Sequence, residues 1–285
     1  MKATKSLPIS ADKNKKLKST KNYAIPYLVW CFVLILIPSL VLIFIAFSTY
    51  DFTSGSDVSF TFNNFSYIFG SEYAISVFWP SIGRSFYISG AVTVICFFLG
   101  YPVAYLMKSM KPRVRAIIMG LLVLPLWSNQ VLRIVSWRTI FELLQTNTTN
   151  FYQINIIIAM VSMYLPFMIL PIYTVLEKID PKIIEASYDL GASRKQTFFK
   201  VTLPLSLGGI ISGVIMTFLP SLTSFEVSDA VSYQNITLLG NLIYERFRGT
   251  GGFNVGSVFS IVTVVFSIVG FILVMRVDKE GETLI

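Results

Sequence analysis

Apolar residues run along this chain in blocks of about 20, with the polar residues collected in the gaps between them. The blocks cover residues 23–47, 85–107, 116–127, 154–176, 205–222 and 255–275. Runs of that length cross a hydrocarbon core as helices, so the pattern predicts an all-α, polytopic membrane protein with six transmembrane helices. The third block is the weakest. It meets Pro125 and then Asn129, Gln130, Arg133 and Arg138, so its helix is expected to stop or bend early. Pro166 and Pro171 are read as breaks in the fourth. Residues 48–84 read as a long polar and aromatic loop. Residues 223–253 read as a mixed loop whose 238–247 segment is an amphipathic helix, lying at the interface or dipping back into protein.

The gap at 177–204 differs from the others because it carries helix signals that a surface loop does not need. Asp180 is placed to cap a helix that begins at Pro181, with Ile179 and Ile184 at the positions of a hydrophobic staple. Gly191 closes that helix, Ser193 and Gln196 form a capping box for a second one from Arg194 to about residue 201, and Pro204 is expected to stop it. On the first helix Ile183, Ile184, Ser187 and Leu190 share a face, a small docking surface. The bland alternative is an amphipathic hairpin resting on lipid headgroups.

Composition agrees with the membrane class: 54% of the residues are hydrophobic and 13% charged, roughly half the usual charged share. The net charge of +8 is explained by its placement. Of the 23 Lys and Arg residues, 18 lie in the first 22 residues, the 108–115 turn, the 177–204 stretch and the C-terminal tail. By the positive-inside rule both termini and the 177–204 stretch are cytoplasmic, and no nucleic-acid partner is needed to account for the basic residues. The expected organisation is a basic cytoplasmic tail (1–22), a six-helix membrane domain (23–275) containing the 177–204 loop, and a cytoplasmic C-terminal tail (276–285). The first apolar block runs past signal-peptide length without a small-residue cleavage site and reads as an anchor in the cell membrane.

Little in the chain can do covalent chemistry. There is no histidine, and Cys31 and Cys96 both fall in apolar blocks, so no metal site, cofactor or disulfide is expected. No phosphate-cradling G-x-x-x-x-G-K-[ST] loop is present, so the chain is not expected to be an enzyme or to hydrolyse ATP. The predicted spans also lack the midplane acid or base of an ion-coupled carrier, which points to an energy source in a docked partner. A secondary transporter or channel and a non-transporting scaffold are the alternatives from other classes. Gly209-x-x-x-Gly213 is either a helix dimer seam or one more instance of a common membrane pattern. Arg133 and Arg138 are expected at the outer interface, paired with Glu142 or with headgroups.

Glu185-Ala186-Ser187, Asp189, Gly191 and the closing Val201-Thr202-Leu203-Pro204 resemble the EAA loop of the membrane subunits of bacterial ABC importers. The similarity extends to Tyr50 through Gly55, Gly100-Tyr101-Pro102 with Ala104-Tyr105, Leu124-Pro125-Leu126-Trp127, Leu165 through Pro171, Leu176 through Asp180, Phe225 through Asp229 and Gly240-Asn241-Leu242-Ile243. Together these are similar to the B-type permeases of spermidine/putrescine importers. Permeases for iron, sulfate, molybdate and thiamine share much of the pattern. Ser187 departs from the usual Ala of the triplet, Gly208 stands where Pro is common, and the loop after Phe141 is short and rich in Asn and Thr.

The resemblance implies a type I importer fold paired with a second, homologous permease, two ATP-binding subunits and an extracellular substrate-binding protein. It implies that Glu185, Ala186, Ser187, Asp189, Gly191, Leu203 and Pro204 couple the chain to the ATPase. For a polyamine, a string of ammonium groups, the path needs carboxylates and aromatic faces. Glu226 and Asp229 beside Phe225 and Tyr233 are the best-placed candidates, with solvated loop residues as the alternative reading; Asp229 falls on the family's acidic position.

Overall fold

A computed structural model describes residues 26–49, 58–146, 148–249 and 252–282, without the side chains of 273–282. The expected basic tail, and the whole 50–55 part of the family match, lie outside the described residues. In chain order the helices are α1 (Pro26–Ala46), α2 (Ala74–Ser109), α3 (Pro112–Trp127), α4 (Gln130–Leu143), α5 (Tyr152–Lys178), α6 (Pro181–Asp189), α7 (Arg194–Leu205), α8 (Leu207–Thr223), α9 (Glu226–Val231), α10 (Leu239–Arg248) and α11 (Phe253–Glu282). Four of them, α1, α2, α5 and α11, are long and apolar enough to cross a membrane. The pairs α3/α4 and α7/α8 pass the same test as bent units, which brings the crossings to six.

Burial orders these helices. In the most apolar window of α5, 61% of residues are buried, against 6% in α1, so α5 is the central helix and α1 the peripheral one. α2 and α8 flank α5, and α11 joins α1 to the far side of α8. Val92, Cys96 and Met107 of α2 meet Met160, Met163 and Ile172 of α5 in one buried cluster. Lipid is as apolar as these side chains, so close contact rather than the hydrophobic effect must hold spans together, and glycines serve it. A Cβ at Gly209 would stand 2.9 Å from the Pro171 carbonyl oxygen, and one at Gly213 would stand 3.0 Å from that of Met168. The Gly209-x-x-x-Gly213 face is thus a seam inside the chain, between α8 and α5. It is not a dimer seam, because both glycines are buried there.

Five expectations change. The second crossing begins eleven residues early, at Ala74: a π-turn over Ala74–Phe78 leads into Pro80, which is tolerated in the first turn of the α-helical part. Phe78 fixes that start by stacking on Phe259 of α11 at 4.6 Å. α5 is unbroken at Pro166 and Pro171, since packing along its length against α2 and α8 holds it and Cys96 Sγ reaches the Val161 carbonyl at 3.8 Å. Pro204 does not stop its helix: a π-turn over Phe198–Thr202 gives its ring room, and the chain bends by 62° only past Leu205. Residues 223–253 hold the unforeseen α9 as well as α10, and α10 does dip into protein, with Leu239, Gly240, Asn241 and Leu242 buried. α3 ends at Trp127 as expected. Its 16 residues rise about 24 Å, and α4 turns away from it by 94°. The backbone of α11 stays helical to Glu282, past the expected boundary at 275.

Candidate functional site

Two sites lie at opposite ends of α8, one at the end of α5 and the other beside its middle. The first is the hairpin between them. Asp180 Oδ1 accepts the Lys182 N–H at 3.0 Å, capping α6. Gly191 closes it at φ +82°, a left-handed value, with its N–H bonded to the Tyr188 carbonyl (2.8 Å) and the Ala192 N–H to that of Ser187 (3.0 Å). That pair of bonds is a Schellman cap. The expected capping box starts α7: Ser193 N–H bonds Gln196 Oε1 at 2.8 Å and Gln196 N–H bonds Ser193 Oγ at 3.3 Å.

The expected docking face is divided. Ile184 and Ser187 turn towards the bundle, whereas Ile183 and Leu190 are exposed together with Tyr188. A helix this amphipathic and tied at both ends presents one side to the protein and the other to whatever docks. Ser187 is buried and its hydroxyl lies 2.7 Å from the Ile184 carbonyl and 2.9 Å from Thr197 Oγ1. A hydroxyl has one proton, so Ser187 donates to the carbonyl and Thr197 donates to Ser187. The serine that departs from the family's Ala is therefore the cross-link between α6 and α7. Glu185, Ala186, Asp189 and Pro204 are exposed, and Leu203 packs half-buried on the core.

The hairpin is fastened to α2 and α3. Lys108 Nζ donates to the Ile179 carbonyl at 3.3 Å and Arg115 pairs with Glu177 at 3.1 Å. The buried Tyr101 hydroxyl meets Ser206 Oγ at 3.0 Å, at the α7/α8 bend. The Phe198 ring packs edge-on against Tyr101 and Tyr105 at 5.7 and 5.4 Å. The sequence reading did not give these residues a role, although Tyr101 and Tyr105 lay within the family match.

From that bend α8 rises about 25 Å to the second site. There an open recess of about 330 Å³ is lined by Gln130, Tyr164, Phe167, Thr223, Phe225 and Glu226, among others. Gln130 Nε2 donates to Glu226 Oε2 at 3.1 Å. Tyr164 is buried, bonded to Ser224, and feels the charges of both Glu226 and Arg133. Phe225 stacks on Tyr244 at 4.4 Å. The four residues proposed from sequence are separated by the fold: Phe225 and Glu226 line the recess, and Asp229 stands half-buried one turn along α9. Tyr233 lies away from it, held by α4: Arg138 covers its ring at 4.5 Å and its hydroxyl donates to Glu142. The pairing expected for Arg138 is present at 3.1 Å; Arg133 instead has buried nitrogens without a partner.

Residues 96–280, which span α5, the hairpin, α8 and the recess, match the family model of the binding-protein-dependent transport system inner membrane component. The chain belongs to that family. As a transport permease subunit it is similar to the spermidine/putrescine transport system permease protein PotB of Haemophilus influenzae, 33% identical over 258 residues that cover 85% of this chain and 88% of that protein. PotB of Escherichia coli is 30% identical, with 81% and 88% covered. Among solved structures, a bacterial ABC transporter involved in import of the acidic polysaccharide alginate matches with a TM-score of 0.71 at 14% identity, covering 94% of this chain and 98% of that one. Its fold is therefore that of an ABC importer permease.

In such a permease the Ser187–Thr197 pair bears on the stiffness of the hairpin. Ser187→Ala leaves the buried Thr197 hydroxyl without its partner, at a local cost of about 1–3 kcal/mol, whereas Ser187→Ala with Thr197→Val removes both groups and costs less. Amide hydrogen exchange across 181–197 should speed up in the single variant and return towards the parent rate in the double. Equal exchange in all three would show that the pair does not hold the hairpin. Gln130 and Phe167, unassigned in the sequence reading, complete the recess; Gln130 was visible only as a polar interruption of the third apolar block.

Proposed function

We propose that the chain is the membrane permease of an ATP-driven polyamine importer, sitting in the bacterial cytoplasmic membrane with both termini and the 177–204 hairpin inside. The observation that carries the reading is the recess at the far end of α8, beside the middle of α5, where Glu226 shares the lining with the aromatic residues Tyr164, Phe167 and Phe225. A carboxylate with aromatic faces binds an ammonium group by charge and cation-π attraction, and the methylene chain between ammonium groups suits the apolar walls. Relatives named for spermidine and putrescine transport support the same substrate class.

In this reading the chain pairs with a second permease, receives substrate from an extracellular binding protein, and is driven by two ATPase subunits. One solved relative of the same fold was determined with a substrate-bound periplasmic protein. The ATPases dock on the exposed side of α6, with Glu185, Ala186, Asp189, Ile183, Tyr188 and Leu190 outward. The hairpin is tied to α2 by Lys108 and by Tyr101 through Ser206, so a push on α6 reaches α5 and α8 as rigid bodies and opens or closes the recess.

Uptake of radiolabelled spermidine by the complete complex in vesicles tests this. Glu226→Gln should lower uptake about tenfold or more, the loss expected of one charge-assisted contact, and Asp229→Asn should lower it less. Competition by sulfate and not by putrescine would end the polyamine assignment.

A further inference from the structure

Neither the fold nor the transport reading explains the position of Arg133. It sits one helical turn after Gln130 on α4, and residues three apart share a helix face. Gln130 on that face already reaches Glu226, and the charge of Arg133 is felt at Tyr164, which lines the same recess. Its Nε and Nη1 are buried without a hydrogen-bond partner. Arg138, one and a half turns further on, shows what a partnered guanidinium looks like here, with Glu142 and the Tyr233 ring both engaged. A buried guanidinium left without a counter-charge is costly, so it is expected to find an anion in another state of the molecule. The carboxylate that its helix face already engages is Glu226, held in this state by the neutral amide of Gln130.

We propose that Arg133 is a tethered competitor of the transported cation, pairing with Glu226 in a second state of the unloaded recess and giving way when an ammonium group arrives. The inference rests on the recess being the cation site. Its chemistry follows directly: a guanidinium presents the same positive charge to the same carboxylate and the same Tyr164 face as a substrate ammonium does. An empty recess is thereby kept from holding an unpaired carboxylate, and a bound polyamine must displace the arginine, which hastens its release. Arg133 is in this sense a specificity-determining residue that acts through Glu226.

Equilibrium binding of radiolabelled spermidine to the assembled transporter in nanodiscs, without the binding protein, reads this out. Arg133→Gln should tighten binding about fivefold, the value of one charge pair at contact in a wet site. Arg133→Lys, which keeps a cation on a flexible stem, should bind more weakly than Arg133→Gln. In a Glu226→Gln background the effect of Arg133→Gln should vanish. Weaker or unchanged binding in Arg133→Gln, or a gain that persists without the Glu226 carboxylate, overturns the competitor role while leaving the recess in place. Unchanged binding in Glu226→Gln alone overturns the recess reading itself, and the competitor with it.

Discussion

Gly191→Val is expected to abolish ATP-driven uptake while the protein still inserts in the membrane and assembles. The reason is conformational and not steric. Gly191 stands at φ +82°, and no atom lies within 4 Å of the place where a Cβ would go. A residue with a Cβ pays about 1–2 kcal/mol at such a φ, and a β-branched one is worse placed still. Valine therefore releases the two cap bonds to the Tyr188 and Ser187 carbonyls, and with them the turn that brings Ser187 against Thr197. α6 has nine residues, too few to be stable without its caps and its contact with α7. Asparagine visits the left-handed region more readily than other residues, so Gly191→Asn should keep most of the uptake, Gly191→Ala part of it and Gly191→Val none. Uptake measured beside ATPase rate in proteoliposomes checks the order. Normal transport by the valine variant would remove the hairpin from the coupling path; Ala normal with Asn inactive would show that bulk, not backbone, decides.

What sequence conveyed about this fold depended on how local the cause was. The caps of α6 and α7 are decided within four or five residues, so Asp180, Gly191, Ser193 and Gln196 were readable in advance and occupy their expected places. The early stop of the third block was readable too, because Asn129 caps the next helix by accepting the Val131 N–H. Prolines misled three times for one reason. Pro166, Pro171 and Pro204 each break a local rule that a π-turn or a packed neighbour repairs, and neither repair is written near the proline. The recess was half visible. Phe225 and Glu226 are adjacent in sequence and stay together, whereas Tyr233 is drawn off to Arg138 and Glu142, 91 residues away from its hydroxyl partner. Tyr164 and Gln130 reach the recess from two other helices, a placement that only the packing of α4 and α5 decides.

Gly209→Leu is expected to prevent a folded permease from accumulating at all, and here the cause is steric. A Cβ at this position meets the Pro171 carbonyl oxygen at 2.9 Å and both the Ile172 Cα and the Val175 Cβ at 3.0 Å. Two of those three are backbone atoms of α5, which cannot swing aside as a side-chain tip does. Even Gly209→Ala must push α8 off α5, at about 1–3 kcal/mol, and leucine must do so along much of the seam. Gly213 is nearly as tight, for behind the Met168 sulfur the backbone carbonyl oxygen of Met168 stands 3.0 Å away. Gly90 on α2 has open space and supplies the control: Gly90→Ala should be neutral or slightly stabilising, since alanine favours a helix over glycine. Thermal unfolding of the detergent-purified complex separates these cases, with Gly90→Ala at or above the parent Tm, Gly209→Ala below it and Gly209→Leu unrecoverable as a complex. The same seam joins the hairpin to the recess. Gly209→Ala, where it assembles, should also take up less substrate for each ATP hydrolysed, because α5 and α8 no longer move as one body. A Gly209→Leu complex with the parent Tm and parent coupling would mean that the two helices are held together elsewhere, and that the push on α6 travels by α2 alone.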